Sequence, residues 1–199
     1  MSEGKNHIKM FSVIAPFYNI AFRSQLENYR KLLKENSWRL ADKIESAIDI
    51  GCGTGAFARA LSELGIEVTA VDASDKMVRI ARRNLAGTGV RVVRADFFED
   101  LPFEDNSFDL LVASYVLHGH KIDGRVRFYG ETKRICKKEL LLHEFFPNKN
   151  PLVSFVEFLE RSDYRNFVST AYEELKRFYP VVYRVRLSAT SGWYICRCK

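Results

Sequence analysis

Three glycines at alternate positions, in Asp49-Ile50-Gly51-Cys52-Gly53-Thr54-Gly55, follow an apolar run and open a helical pattern. Glycine has no Cβ, so the backbone here can take positive φ and pass a ligand with no side chain between them. A flat, polar cofactor can therefore lie on bare peptide. Twenty-one positions after Gly51, closing the apolar run from Ile66 to Val71, stands Asp72. A carboxylate about 20 residues beyond a glycine loop is placed to accept hydrogen bonds from ribose hydroxyls. A third run, Val90 to Val93, leads into Ala95-Asp96, and a fourth, Phe108 to Ser114, leads into Tyr115 and the histidines His118 and His120. Imidazole titrates near neutrality, which suits proton transfer.

Those residues act together only if the elements carrying them converge. Ala47 to Ile50, Ile66 to Val71, Val90 to Val93, Phe108 to Ser114 and Glu139 to Glu144 read as strands. Between them Phe57, Ala60, Leu61 and Leu64 recur at helical spacing up to Gly65. Ser74 is an N-cap for a helix with Met77, Ile80, Ala81 and Leu85 inward, stopped at Gly87. A weaker helix covers Ile122 to Ile135, its regularity lowered by Gly124 and Gly130. Alternating strands and helices predict a parallel sheet covered on both faces. The acid-rich loop from Phe97 to Ser107, with Pro102, is expected to cross the top of that sheet.

Before this core the pattern is helical in two pieces broken near Pro16, with Phe22, Leu26, Tyr29 and Leu33 on one face of the second. After it, Pro151 opens a helix with Leu152, Phe155, Val156 and Leu159, and another carries Phe167, Ala171, Leu175 and Phe178. Val181 to Leu187 and Trp193 to Cys198, joined by Ser188 to Gly192, read as a hairpin.

The 199 residues suit one domain, and 47% hydrophobic content suits a full core. No apolar run reaches the roughly 20 residues that span a bilayer, and a cytoplasmic protein is expected. The net charge of +6 is scattered, densest at Arg79, Arg82, Arg83 and at Lys133, Arg134, Lys137, Lys138, where solvated helix faces are the plain explanation and an anionic partner the alternative. Four cysteines make no disulfide framework here, and no cysteine and histidine set has zinc-finger spacing, so no metal is expected. Cys196 and Cys198 share one strand face, which leaves a soft-metal site conceivable.

Asp49 to Gly55, Val71-Asp72, Ala95-Asp96 and Leu101-Pro102-Phe103-Glu104-Asp105-Asn106-Ser107-Phe108-Asp109-Leu110-Leu111 together resemble the class I S-adenosylmethionine-dependent methyltransferases. The nearest branch is the small-molecule group that includes the ubiquinone and menaquinone C-methyltransferases. The likeness is strong from about residue 45 to 145 and thinner outside. It implies an α/β, Rossmann-like, doubly wound sheet of seven strands, mostly parallel with a C-terminal antiparallel hairpin. It also implies one domain, with residues 1–45 as a helical cap, 46–146 as the cofactor-binding core and 147–199 as closing helices and hairpin.

The resemblance assigns roles to residues. Asp49 orders the loop and holds the methionine amino group, directly or through water. Gly51, Cys52, Gly53 and Gly55 run beside ribose and methionine, Asp72 with Ala73 takes the ribose, and Asp96 with Phe97 takes the adenine. Ser114 and Tyr115 wall the sulfonium. Phe17 and Tyr18 cap the pocket or touch substrate, or else are core aromatics. Where the accepting atom carries a proton, His118, His120 or Tyr18 are the candidate bases, and the bland reading of the two histidines is an ordinary loop. His143 reads as structural or as a support to the site. One departure from the family is Cys136-Lys137-Lys138, where relatives carry a Pro-Gly-Gly turn before the fifth strand.

The chain lacks the Asn/Asp-Pro-Pro-Tyr/Phe tetrapeptide and the Pro-Cys of nucleic-acid methylating enzymes, which favours a small-molecule acceptor. RNA methylated at another atom remains an alternative, as does a cofactor-binding subunit without catalysis. Gly51-x-Gly53-x-x-Ala56 also fits the looser fingerprint of an NAD(P)-dependent oxidoreductase, a weak match on its own.

Overall fold

The structure, a computed structural model, describes residues 22–40, 42–146 and 163–199. Tyr18, Phe17, the break at Pro16 and the helix expected after Pro151 lie outside the described residues. In chain order the elements are helical residues 22–36 (α1), β1 (Ser46–Ile50), α2 (Ala56–Ser62), β2 (Glu67–Asp72), α3 (Asp75–Asn84) and β3 (Arg91–Arg94). There follow β4 (Phe108–Ser114), α4 (Ile122–Ile135), β5 (Cys136–Phe145), α5 (Tyr164–Phe178), β6 (Val181–Arg186) and β7 (Ser191–Arg197).

The strands form one seven-stranded sheet in the order β3-β2-β1-β4-β5-β7-β6. β1 to β5 are parallel, and β7 enters antiparallel between β5 and β6. This is the expected Rossmann-like architecture with its C-terminal hairpin. Because successive strand side chains point to opposite faces, each central strand supplies both layers of core. Ile48, Ile50, Leu111, Ala113, Leu140 and Leu142 pack with Phe128 of α4 and with Phe167 and Leu175 of α5. Ala47, Leu110, Val112 and Leu141 face the other way, against Leu26 and Leu33 of α1, Phe57 and Leu61 of α2, and Ala81 and Leu85 at the end of α3.

Local chemistry sets the element ends. Ser74 accepts from the Met77 backbone N–H, capping α3 as its position requires. The buried face of α3 carries Met77, Val78 and Ala81, whereas Ile80, expected inward, is only half-buried. With Asp75 as the first helical residue, Val78 falls two turns and Ala81 one turn before Leu85 on the inward stripe, and Ile80 falls beside it.

Three further expectations need correction. α4 runs unbroken for 14 residues despite its glycines. A Cβ at Gly124 would stand 3.0 Å from the Phe98 ring, so this glycine is a point of close packing rather than a weakness. Cys136-Lys137-Lys138 is not a turn, because β5 starts at Cys136 directly from α4. The adjustment is made inside the sheet, where the β4 and β5 register shifts between Phe108 and Leu110. The loop after β3 does not cross the top of the sheet but descends beside α4. Leu101 N–H bonds Glu131, and Arg134 reaches the Leu101 and Phe103 carbonyls, because the chain must return to the far edge where β4 begins.

One buried cation joins the helices of the second face. Arg125 of α4, fully buried, makes a two-pronged pair with Glu174 of α5 at 2.9 and 2.8 Å, and also holds Asp163 and the His120 carbonyl. Removing one partner of such a group strands the other charge away from water. Arg125→Ala is expected to cost about 3–5 kcal/mol, and loss of the exposed, solvent-screened pairs of Arg30 only a small fraction of that. Urea-unfolding midpoints of Arg125→Ala and Arg30→Ala compare the two.

Candidate functional site

In a doubly wound sheet the ligand crevice lies beyond the carboxyl ends of the strands, where the strand order reverses. Here that point is between β1 and β4, since the chain leaves β1 towards β2 on one side and returns as β4 on the other. The glycine loop follows β1, and all three of its glycines have positive φ, of 72°, 54° and 86°. Each does different work. A Cβ on Gly51 would strike Val116 at 2.6 Å, so this glycine lets the segment after β4 close onto the loop. A Cβ on Gly55 would strike Leu85 at 2.7 Å, so this one seats α3 against the start of α2. At Gly53 a Cβ would meet no described residue within 4 Å, so among the described residues this peptide borders open space at the sheet edge.

Two carboxylates hold the loop. Asp49, 1% exposed, points under it and accepts the Ala58 N–H in the first turns of α2. Burial, and to a lesser degree the charge of Asp72, pushes its carboxyl up to about 7. Asp72 ends β2, with one oxygen accepting Gly53 N–H at 2.9 Å and the other Ser74 N–H at 2.8 Å. It too is raised, by burial first and then by Asp96. Each carboxylate oxygen has two lone pairs, so Asp72 keeps one on each oxygen for a ligand diol while fixing the loop. Ala73 lies between Asp72 and the cap Ser74 and is half-buried. Cys52 is buried within the loop and its thiol is held well up by burial.

Four of the five N–H groups from Gly51 to Gly55 are already committed. Gly51 and Cys52 N–H go to the Val71 carbonyl, Gly53 N–H to Asp72, Gly55 N–H to Cys52 and Ala58 N–H to Asp49. A dinucleotide pyrophosphate needs free donors and positive potential at this turn. Asp49, Asp72 and Asp96 give the reverse, a crevice that favours a cationic ligand.

Beyond β3, Asp96 accepts the Phe98 N–H, and Phe97 is buried edge-on to Phe128. His120 stands edge-on to both Phe97 and Phe98, at 5.2 and 5.1 Å between ring centroids. It therefore belongs to the Asp96 side of the crevice. His118 does not: its Nδ1 lies 3.0 Å from Oε2 of Glu144, and its ring packs edge-on to Phe145. The structure thus separates two histidines that the sequence spaces two residues apart, because the 3₁₀ turn Leu117–Gly119 intervenes.

Ser114 and Tyr115 end β4. Ser114 Oγ sits 2.7 Å from Tyr29 Oη of α1 and 3.5 Å from His143 Nδ1. Tyr115, at φ 55°, turns back over β5, with its hydroxyl 3.4 Å from His143 Nε2 and its ring against Phe145. His143 is buried, and burial lowers it to about 4, so it is a neutral ring within a polar network. Tyr29 and Glu144 are the residues that sequence reasoning missed. Tyr29 read only as one member of a helix face, and Glu144 as the last residue of a strand. An acid closing an otherwise apolar buried strand was the available signal.

Among the described residues no cluster of three or more histidine, cysteine or acidic side chains could hold a metal, and no helix is long and apolar enough to cross a membrane.

Comparison with known proteins fits this geometry. Residues 47–139 match the methyltransferase domain family. A demethylmenaquinone methyltransferase of Tropheryma whipplei is 27% identical over 94% of this chain and 76% of its own length. That of Clavibacter sepedonicus is 43% identical, over 37% of this chain and 30% of its own. The chain spans about half or less of the length of three curated relatives that it matches at 33% to 43% identity. A crystal structure of an S-adenosylmethionine-dependent methyltransferase from Aquifex aeolicus superposes with a TM-score of 0.64 at 18% identity, covering 94% of this chain and 98% of that one. This likeness establishes the fold.

The raised Asp49 carboxyl carries a pH signature. A carboxyl that binds its proton more tightly when folded favours the native state at low pH, and that advantage is lost as pH rises from its ordinary value towards about 7. Each pH unit in that window costs about 1.4 kcal/mol. Asp49→Asn keeps an acceptor for Ala58 N–H without the charge. Its stability relative to the wild type should rise between pH 5 and pH 8, read by urea unfolding at both.

Proposed function

We propose that the chain, which is similar to methyltransferase domains over residues 47–139, is a class I S-adenosylmethionine-dependent methyltransferase that transfers a methyl group to a small-molecule acceptor. The observation that carries this reading is the acidic, side-chain-free crevice around Gly53 with both oxygens of Asp72 along it. The cofactor supplies an electrophilic methyl group on a positively charged sulfur. Asp72 would hold the ribose diol, Asp96 and Phe97 the adenine end, and the peptides of Gly51 and Gly53 would lie beside the methionine portion. Asp49 acts from beneath by fixing the start of α2 through its bond to Ala58 N–H. Ser114 and Val116 close the wall on the β4 side.

Methyl transfer is an in-line displacement, in which the protein contributes mainly alignment, worth about 7–11 kcal/mol for well-placed reactants. The acceptor side is built by Tyr115, His118, Phe145 and the end of β5, an aromatic surface suited to a flat ring. Demethylmenaquinone, named in the relatives of T. whipplei and C. sepedonicus, is the lead acceptor. The absence of nucleic-acid methylase motifs favours this over RNA. We read the whole chain as one unit, with residues 1–45 as cap and 147–199 as closing segment, acting in the cytoplasm.

Calorimetric titration tests the cofactor. S-adenosylmethionine should bind in the micromolar range and NADH should not. Asp72→Ala should weaken that binding about ten- to a hundredfold, the worth of a charge-assisted hydrogen bond. Transfer of labelled methyl to reduced demethylmenaquinone then tests the acceptor. No binding of S-adenosylmethionine would refute the reading.

A further inference from the structure

We propose that Glu144 is a positioning residue that sets His118 as a general base, and that the acceptor is therefore a hydroxyl-bearing ring compound that gives up a proton on methylation. This deepens the proposed methyl transfer and rests on it.

Glu144 is the penultimate residue of β5 and fully buried. Its two oxygens have separate partners: Oε1 accepts the Leu117 backbone N–H at 2.6 Å, and Oε2 faces His118 Nδ1 at 3.0 Å. The backbone contact fixes the carboxylate plane, and the plane in turn fixes the imidazole. A carboxylate can only accept, so Nδ1 must carry the proton, which puts the ring lone pair on Nε2. A carboxylate behind an imidazole that orients it and stabilises its protonated form is the arrangement that makes a histidine an efficient base. Among the described residues, four titratable groups lie around the pair. Tyr115 lies 6.3 Å from His118 ring to ring, and Tyr29, His143 and Tyr194 feel the Glu144 charge. The tyrosines are raised by burial and His143 is lowered by it, so all four are neutral near pH 7.

A buried carboxylate is costly unless its partner can become a cation. Here the partner sits past the end of β4, beside the crevice, where a proton would be received. An acceptor with no proton to lose would give this pair nothing to do. With a hydroxyl acceptor the O–H bond breaks as N–H forms at Nε2. The electron pair left on the acceptor makes the new bond to the methyl carbon, and the pair of the broken C–S bond stays on sulfur and discharges it. In a hydroquinone the same pair can be delivered through the ring carbon, which then loses its own hydrogen as a proton.

Glu144→Gln separates this from a structural role. Leu117 N–H demands an oxygen at Oε1, so the amide nitrogen must face Nδ1 and donate to it. The ring then carries its proton on Nε2, the lone pair is lost from the reacting position, and packing is unchanged in volume. Long-range ¹⁵N imidazole spectra, assigned with His118→Gln, should show the Nδ1–H tautomer in the wild type and Nε2–H in Glu144→Gln. With labelled S-adenosylmethionine and three probe acceptors (catechol, reduced demethylmenaquinone and N,N-dimethylaniline), the hydroxyl probes alone should be methylated. Glu144→Gln should lower kcat about 10²–10⁴-fold and remove the acidic limb of the rate against pH, with S-adenosylmethionine binding unchanged. An Nε2–H tautomer in the wild type, methylation of dimethylaniline alone, or an undiminished variant would each overturn this inference alone. A wild type that binds no S-adenosylmethionine would overturn the underlying reading with it.

Discussion

The site depends on a close approach that only missing side chains permit. At Gly51 and Gly55 a Cβ would fall 2.6 and 2.7 Å from Val116 and Leu85, distances no real contact sustains. Without those atoms the segment after β4 and the end of α3 both press on the loop after β1. Three consecutive crossovers are thereby locked at one sheet edge, and Gly53, between them, is left bordering open space among the described residues. The same loop spends most of its N–H groups internally, on Val71, Asp72, Cys52 and Asp49, so its shape exists before any ligand arrives. Preorganisation of this kind lowers the ordering cost of binding.

Electrostatics then decides what such a loop can hold. Burial raises Asp49 and Asp72, and each feels a neighbouring acid. A bound cation would offset the cost of charging these buried carboxyls and an anion would add to it, so the crevice favours a positively charged ligand over a pyrophosphate. A glycine fingerprint alone does not distinguish these two ligand classes, whereas the carboxylates around it do. On the other face of the sheet the charge is handled differently. Arg125 is surrounded by Glu174, Asp163 and a carbonyl, so its charge is fully matched and serves to hold α4 on α5.

The strands, the hairpin and the glycine loop were legible in the sequence because each rests on a short-range rule: apolar runs of strand length, glycines at turns, an acid after each run. The errors came where tertiary context overrides local preference. Cys136 to Lys138 resembled a turn only because relatives turn there, and the sheet absorbed the difference as a register shift. Gly124 looked like a weak point in a helix until Phe98 was seen to fill the space beside it. The roles of His118 and His120 were illegible for a related reason. Two residues of separation says nothing about direction in a 3₁₀ turn, and their partners, Glu144 and the Phe97 and Phe98 pair, lie far away in sequence on opposite sides.

The distribution of partners along the chain also explains why the cofactor is easier to read than the acceptor. The groups assigned to the cofactor, from Asp49 to Tyr115, fall within residues 47–139, the stretch that matches the methyltransferase domain. The groups on the other side of the crevice are split: His118 lies within that stretch, Tyr29 precedes it, and His143, Glu144 and Phe145 follow it. β5 sends His143 towards Tyr29 of α1 and Glu144 towards His118, since adjacent strand residues face opposite ways. One strand end thus ties the N-terminal helix to one wall and the candidate base to the other. Tyr29 reinforces the tie by stacking on Phe57 of α2 at 4.4 Å while bonding Ser114. Part of the acceptor side therefore lies outside the stretch that matches the methyltransferase domain, whereas the glycine loop and its acids lie inside it.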